Sequence, residues 1–354
     1  MNIKHPFSVL TTPVPEFPTA TVIEAVSEHY GRRGTLRPLA SERDQNFHLI
    51  TDDGPQFVLK ISNSAEHPGV TDFQNKALLH IEQSDPGFPV PRVTRTVRGE
   101  LAQRLTAADG RIHTFRLLTW LEGTPLQYLD RADSVPWTLG ICLSRLDKAL
   151  QGFSHQSSDY RLLWDVKQAS HLRELLQHIE DVPLRHTCHS LLDHFETALQ
   201  PELKNLRWQV IYNDLNPSNV LVDSKSPETV AGVIDFGDLV RSPLIQDVAV
   251  AAAYLCIDGE DPLADVKTFV AAYTSQHELR SLEFELLYDL ILMRKVLTIL
   301  ITNWRVARYP ENRDYIMRNQ THARQTLERL MQQDAHKMTE TLRQACDSQH
   351  GSQP

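Results

Sequence analysis

The period of the hydrophobic positions alternates between two and about 3.6 in the first third of the chain and is mostly about 3.6 after it. Asn46 to Ile50 and Gln56 to Ile61 alternate on either side of Asp52-Asp53-Gly54, which predicts a β-hairpin. Between 71 and 82, Phe73, Ala77, Leu78 and Ile81 share one helical face, and Pro86, Gly87, Pro89 and Pro91 end that helix. Strands follow near 92–97 and 111–120, with Asp109-Gly110 as a turn before the second. From Ser134 the pattern is helical. Ser134 and Pro136 start a helix whose stripe is Leu139, Leu143, Leu146 and Leu150. Further helices are predicted over 165–180, 184–199, 246–257, 262–275, 280–308 and 312–345. A short β-rich island interrupts them at 208–212, 219–222 and 230–235. Ahead of the hairpin, Pro13, Pro15 and Pro18 make residues 1–20 an extended lead-in. Thr21 and Glu24 form a capping box for a short helix that Gly31 and Gly34 stop. Residues 348–354 are polar and expected to fray.

The pattern is α+β: a β-rich N-terminal lobe over 21–120, a connector near 119–125, and a helical lobe within 121–347. The 354 residues exceed the usual limit for one core, which agrees with two lobes. Thirty-six basic against forty-five acidic residues give −9, so the chain lacks the global charge of a nucleic-acid binder. The most apolar run, 248–257, is too short to span a bilayer. No secretory signal is visible in the first thirty residues. Cys142, Cys188, Cys256 and Cys346 form no CxxC pair, which fits a reducing compartment. A soluble, cytoplasmic protein is expected. The sixteen histidines include no HExxH and no spacing with cysteines that closes a zinc site.

The island holds the chemistry. Tyr212-Asn213-Asp214-Leu215-Asn216-Pro217-Ser218-Asn219 follows an apolar strand, and Val233-Ile234-Asp235-Phe236-Gly237-Asp238 ends another. Each motif alone is also an ordinary turn. Together and in this order they place two carboxylates and one amide where phosphoryl transfer needs them. That reaction asks for a carboxylate to orient the attacking hydroxyl and for hard oxygen ligands to magnesium. Asp214 suits the first role; Asn219 and Asp235 suit the second.

These residues resemble the catalytic and metal-binding loops of the aminoglycoside and choline kinase-like phosphotransferases, relatives of the protein kinases. Ser41-Glu42-Arg43-Asp44-Gln45-Asn46-Phe47, Phe57 to Asn63, Phe73-Gln74-Asn75 and Gly232 to Asp238 are most similar to the hydroxylysine kinase branch. The resemblance implies a protein-kinase-like fold, with Lys60 as the strand lysine on the nucleotide phosphates. By itself Lys60 also reads as a solvated strand end. The acidic partner such a lysine usually has falls on Asp72 or on Gln74, with Asp72 favoured. The loop holding Ser41, Asp44, Gln45 and Asn46 would cover the phosphates. It contains no glycine, so side-chain hydrogen bonds are expected to shape it. Trp120 and Leu121 lie in the connector that would meet the purine edge, and also fit a core role. Asp247 matches an aspartate supporting the catalytic loop, or is a helix cap. Asp238 binds a substrate amine or is a turn residue.

The family commonly has His-Gly where this chain has Tyr212-Asn213. Tyr212 is expected to brace by packing, and Asn213 tolerates a left-handed backbone. The implied activity transfers the γ-phosphate of ATP or GTP, with Mg2+, to a hydroxyl of an amino acid or amino alcohol. A hydroxylysine-like acceptor comes first; homoserine, choline, ethanolamine or an aminoglycoside are alternatives. A silent nucleotide-binding regulatory module is the rival class. No nucleic-acid or membrane partner is expected, and the oligomeric state is left open.

Overall fold

Gly54, at φ 104°, closes the predicted hairpin in a computed structural model that describes residues 8–130, 132–318 and 320–350. The chain divides into two units that a single cut in the sequence does not separate. One takes the chain up to Gly123 together with 153–160 and 231–237; the other takes 124–152, 161–230 and the chain from Asp238. The contiguous lobes expected at 21–120 and 121–347 are therefore interleaved. The segment 231–237 joins the N-terminal unit, where Val233 N–H donates to Pro89 C=O at 2.9 Å.

The N-terminal unit is an antiparallel sheet of β1 (Gly34–Leu39), β2 (Gln45–Thr51), β3 (Gln56–Ile61), β4 (Val93–Thr94), β5 (Gln103–Thr106) and β6 (Ile112–Thr119). Its order is β1-β2-β3-β6-β4, with β5 also on β6. Three helices accompany it: α1 (Ser8–Thr11), α2 (Thr19–Tyr30) and α3 (Pro68–Ser84). Strand alternation sorts the two faces of the sheet. Phe47, Leu49, Phe57, Leu59, Ile61, Phe115 and Leu117 bury one face against Val22, Val26 and Tyr30 of α2. Each such side chain contributes about 1.5–3 kcal/mol. The other face carries Asn46, Lys60 and Arg116 side by side, because Lys60 is in register with both. That row faces α3.

Several boundaries differ from expectation. The short helix α1 interrupts the extended lead-in, whose first seven residues lie outside the described ones. Helix α2 starts at Thr19 behind Pro18 with no side-chain cap, so Thr21 and Glu24 form no capping box. It ends, as predicted, at Gly31, whose left-handed φ of 62° lets its N–H return to Ser27 C=O.

The other unit contains β7 (Thr124–Pro125), α4 (Val135–Leu150), a 3-10 segment (Val166–His178) in place of the expected helix, and α5 (Val182–His194). Then come β8 (Trp208–Ile211), β9 (Val220–Asp223), the start of β10 (Ser226–Val233), β11 (Val240–Pro243), α6 (Leu244–Leu255), α7 (Ala264–Gln276) and α8 (Ser281–Arg308). The helix predicted over 312–345 is three: α9 (Arg313–Met317), α10 (Gln320–Leu330) and α11 (Ala335–His350). Asp334 resets the last one by accepting Lys337 N–H at 2.7 Å. Helix α11 runs through three residues of the expected frayed tail; the rest of that tail lies outside the described residues. Gly140 lets α4 and α7 touch: a Cβ there would overlap the carbonyl oxygen of Phe269 and lie 2.7 Å from Ala272 Cβ. Among the described residues, no helix is long and apolar enough to cross a membrane.

Candidate active site

The residues singled out from the sequence fall in two clusters, one in each unit. In the N-terminal unit Lys60 Nζ lies 3.2 Å from Asp235 Oδ1. Asp235 follows β10 at φ 56°, a left-handed conformation rare outside glycine, asparagine and aspartate. Gly237 continues the turn and donates its N–H to Asp235 Oδ1 at 3.2 Å. A Cβ on Gly237 would lie 2.3 Å from Arg43 Nη2, so a larger residue would push the end of that flexible side chain aside. The Lys60 charge beside Asp235 outweighs burial and, with Arg43, lowers its carboxyl to about 2. Asp235 is nevertheless half-exposed, while Lys60 is 13% exposed.

Asp72 does not hold Lys60. Its carboxylate pairs with Lys76 Nζ at 2.7 Å and His155 Nε2 at 3.1 Å. Gln74 turns the other way, and Arg116 Nη2 donates to its Oε1 while Nη1 donates to Asn75 Oδ1, both at 2.5 Å. Helical geometry explains the split, since positions 72 and 74 point about 200° apart. Lys60 has Asp235 as its carboxylate partner instead.

The glycine-free loop is shaped by side chains. Asp44 N–H donates to Ser41 Oγ at 3.2 Å, and Asn63 N–H donates to Asp44 Oδ1 at 3.0 Å. Asn63 Nδ2 donates to the Arg43 carbonyl at 3.1 Å. Gln45 is committed to Phe17, whose N–H and C=O its amide bonds at 2.8 and 3.0 Å. Asp44 and Gln45 thus build the loop from inside, and Asn46 remains the residue beside Lys60. In the connector, Trp120 N–H donates to Gln56 C=O at 3.0 Å, and its ring stacks on His48 at 3.8 Å. Trp120 and Leu121 are both half-buried rather than core.

In the other unit, β8 delivers Tyr212 fully buried, bracing the loop by packing. Asp247, in the first turn of α6, accepts Tyr212 N–H at 2.8 Å and Asn213 N–H at 2.7 Å. It does not cap the helix, which starts behind Pro243. Asn213 stands at φ 65°, so the Asn in place of the usual glycine preserves a left-handed turn. Its Oδ1 accepts Gln246 Nε2 at 2.9 Å, and Gln246 also donates to buried Asp165. Behind Asp247 sits a second buried carboxyl, Asp147, which accepts Tyr273 OH at 2.7 Å. Burial and the Asp247 charge push Asp147 well above the usual carboxyl range, so it stays protonated and donates to Asp247. Burial also raises Asp247, to about 6.

This scaffold presents Asp214. Asn219 Nδ2 donates to Asp214 Oδ2 at 2.7 Å and to its carbonyl at 3.1 Å. Arg294 Nη2 approaches Oδ1 at 3.4 Å. Arg294 is 2% exposed. It is fixed by Trp164 C=O at 2.8 Å and Tyr254 OH at 3.2 Å, and lies over both aromatic rings. Burial opposes its charge, yet Tyr254, Asp214 and Asp238 around it hold the guanidinium above its ordinary pKa. Asp238 therefore lies within the electrostatic reach of the Asp214 surroundings. Arg294, Asp147, Tyr273, Arg43 and Arg116 were not singled out from the sequence. Two of them carried a signal: Asp147 and Arg294 are charges at helical positions whose period demands an apolar residue.

The donors fit a hard cation by type. Asp235 offers carboxylate oxygens, and Asn219, with its amide nitrogen turned to Asp214, directs its amide oxygen elsewhere. Among the described residues no three His, Cys, Asp or Glu side chains gather as a metal cage.

The chain matches the phosphotransferase enzyme family over residues 35–283 and belongs to it. It is a small-molecule kinase with a protein-kinase-like fold. It is 27% identical to hydroxylysine kinase of Mus musculus over 327 residues, covering 86% of each chain. It is 26% identical to hydroxylysine kinase of Danio rerio over 315 residues, covering 86% of this chain and 88% of that one. Among solved structures, an amicoumacin kinase in complex with AMP-PNP, Ca2+ and Ami is similar with a TM-score of 0.68 and 13% identity, over 91% of this chain and 97% of that one. A microcompartment-associated aminopropanol kinase is similar with a TM-score of 0.63 and 19% identity, over 87% and 95%.

Proposed function

We propose that this kinase transfers the γ-phosphoryl group of Mg-ATP or Mg-GTP to the hydroxyl of an amino acid or amino alcohol, with a hydroxylysine-like acceptor. The observation that carries the reading is Asp214, whose two carboxylate oxygens are held by Asn219 and Arg294. A carboxylate so oriented accepts a hydroxyl hydrogen bond in one direction only. The acceptor oxygen forms a bond to the γ-phosphorus and the bond from that phosphorus to the β–γ bridging oxygen breaks. The nucleoside diphosphate leaves with the bond's electron pair, and the hydroxyl proton passes to Asp214. Most of the rate comes from positioning and electrostatics.

Lys60 grips the phosphates as a point charge. Asn219 and Asp235 would hold Mg2+, which offsets charge on the transferring group. Asp238 takes the acceptor's ammonium. The acceptor class is supported by the similarity to the hydroxylysine kinases over most of both chains. A phosphotransfer screen with both nucleotides against hydroxylysine, homoserine, choline, ethanolamine and an aminoglycoside tests it. The expected result is the highest kcat/KM with hydroxylysine. Nucleotide binding without phosphorylation of any acceptor would overturn it.

A further inference from the structure

Helix α8 buries three charged side chains, Glu283, Arg294 and Lys295. Two of them have counter-charges: Arg207 Nε donates to Glu283 Oε1 at 2.7 Å, and Arg294 Nη2 approaches Asp214 Oδ1 at 3.4 Å. Lys295 has none. It is 3% exposed, and its ammonium makes no hydrogen bond or ion pair with any described residue. The titratable group within electrostatic reach of it is the Cys256 thiol, just past the C-terminus of α6. Burial pushes that thiol above its ordinary range, so it stays neutral and supplies no counter-charge. Burial likewise pulls the Lys295 ammonium below the usual lysine range. An unpaired buried ammonium costs the fold free energy that an apolar side chain of similar length would not. The position of Lys295 indicates what would offset that cost. It directly follows Arg294, and the packing of α6 on α8 that sets Tyr254 OH 3.2 Å from Arg294 brings Cys256 near Lys295.

We infer that Lys295 anchors a carboxylate of the acceptor, and so selects amino acids over amino alcohols and aminoglycosides. This rests on the kinase reading and deepens it, naming a residue that reads the acceptor's class. An amino acid whose hydroxyl meets Asp214 carries its carboxylate a few carbon–carbon bonds away, the scale on which a helix separates consecutive side chains. Bound there, the carboxylate gains a charge-assisted hydrogen bond and gives the ammonium the counter-charge that the fold withholds. With Asp238 on the acceptor's ammonium, the two charged ends of an amino acid meet two opposite charges. Hydroxylysine and homoserine carry such a carboxylate; choline, ethanolamine and aminoglycosides do not.

The test is equilibrium binding of hydroxylysine and its carboxamide, and of homoserine and its carboxamide, to the wild type, Lys295→Met and Lys295→Arg with Mg-ADP present. In the wild type the tighter-binding amino acid is expected to exceed its carboxamide by about 10–100-fold, the range for a hydrogen bond between charged groups. Lys295→Met is expected to bind acid and carboxamide equally, through lost affinity for the acid alone. It should melt no lower than the wild type, because it removes an unpaired buried charge. Lys295→Arg keeps part of the preference. Equal binding of acid and carboxamide by the wild type, or binding of neither amino acid, overturns the proposal without reference to any variant. So does a preference that survives in Lys295→Met, or an equal loss of both ligands there, which would make Lys295 a packing residue. The two readings fail separately. A protein that prefers the acid through Lys295 but phosphorylates no acceptor sinks the proposed reaction and leaves the anchor. One that phosphorylates hydroxylysine and its carboxamide with equal KM sinks the anchor alone.

Discussion

Arg294 Nη2 stands 3.4 Å from Asp214 Oδ1 while Asn219 Nδ2 holds Oδ2 at 2.7 Å. The carboxylate is thereby locked from both sides by groups on different elements. In the proposed reaction Arg294 acts through Asp214, as a positioning residue. Arg294→Met is expected to lower kcat about 100-fold with little change in the nucleotide KM, because a misaligned nucleophile loses rate rather than donor binding. Arg294→Lys should recover part of kcat. Steady-state kinetics on variants with wild-type circular dichroism decide it; a parallel rise in nucleotide KM would point to a structural role instead.

Asp235→Asn is expected to abolish turnover while leaving the fold intact. The stability effect has a defined sign. Lys60 holds the Asp235 carboxyl at about 2. A depressed carboxyl contributes stability above its unfolded pKa, about 4, and loses it as pH falls toward 2. The stability difference between wild type and Asp235→Asn should be level from pH 7 to about 5 and shrink below about 4. It should stay within about 1 kcal/mol, since the side chain is half in solvent. Denaturant titrations across pH measure it, and near-normal turnover in the folded variant would refute the role.

The Asp147–Asp247 pair behaves in the opposite sense. Burial raises both carboxyls, Asp247 to about 6. A raised carboxyl contributes stability below about pH 4 that is lost as pH climbs through about 6. Asp147→Asn keeps a donor toward Asp247 and an acceptor for Tyr273 OH but does not titrate. It should flatten the decline of unfolding free energy between about pH 4 and 7. An unchanged slope would show that the pair does not titrate on folding.

Asn213 separates two contributions in one position. Asn213→Gly keeps the left-handed turn and loses only the bond from Gln246, costing about 1 kcal/mol. Asn213→Ala loses the bond and adds strain at φ 65°, for a total of about 2–3 kcal/mol. Equal destabilisation of the two variants, read from thermal melts, would show that the backbone conformation carries no weight.

The candidate catalytic loops were legible because both motifs sit on short apolar strands, and the hairpin carrying Lys60 was legible from its turn residues. Strand β1 was not: Arg37 and Pro38 interrupt its alternation, and its pairing with β2 is what makes it a strand. The partner of Lys60 was misplaced because family spacing points to α3, whereas Asp235 reaches it from 175 residues away in sequence. Tertiary networks such as Asp165–Gln246–Asn213 leave no periodic trace, since each member reads locally as an ordinary cap or loop residue. Arg294 stood out only as a charge within a helix whose other positions are mostly apolar, with nothing local to tie it to Asp214.

Gly140 ties chain thickness to chemistry. Only a hydrogen atom separates α4 from the backbone of α7 there, and that clearance sets how far Tyr273 must reach to Asp147. Asp147 touches Asp247, and Asp247 holds the two amides ahead of Asp214. A single added methyl at position 140 would thus be felt at Asp214 as a displacement, passed along Tyr273, Asp147, Asp247 and the amides of Tyr212 and Asn213.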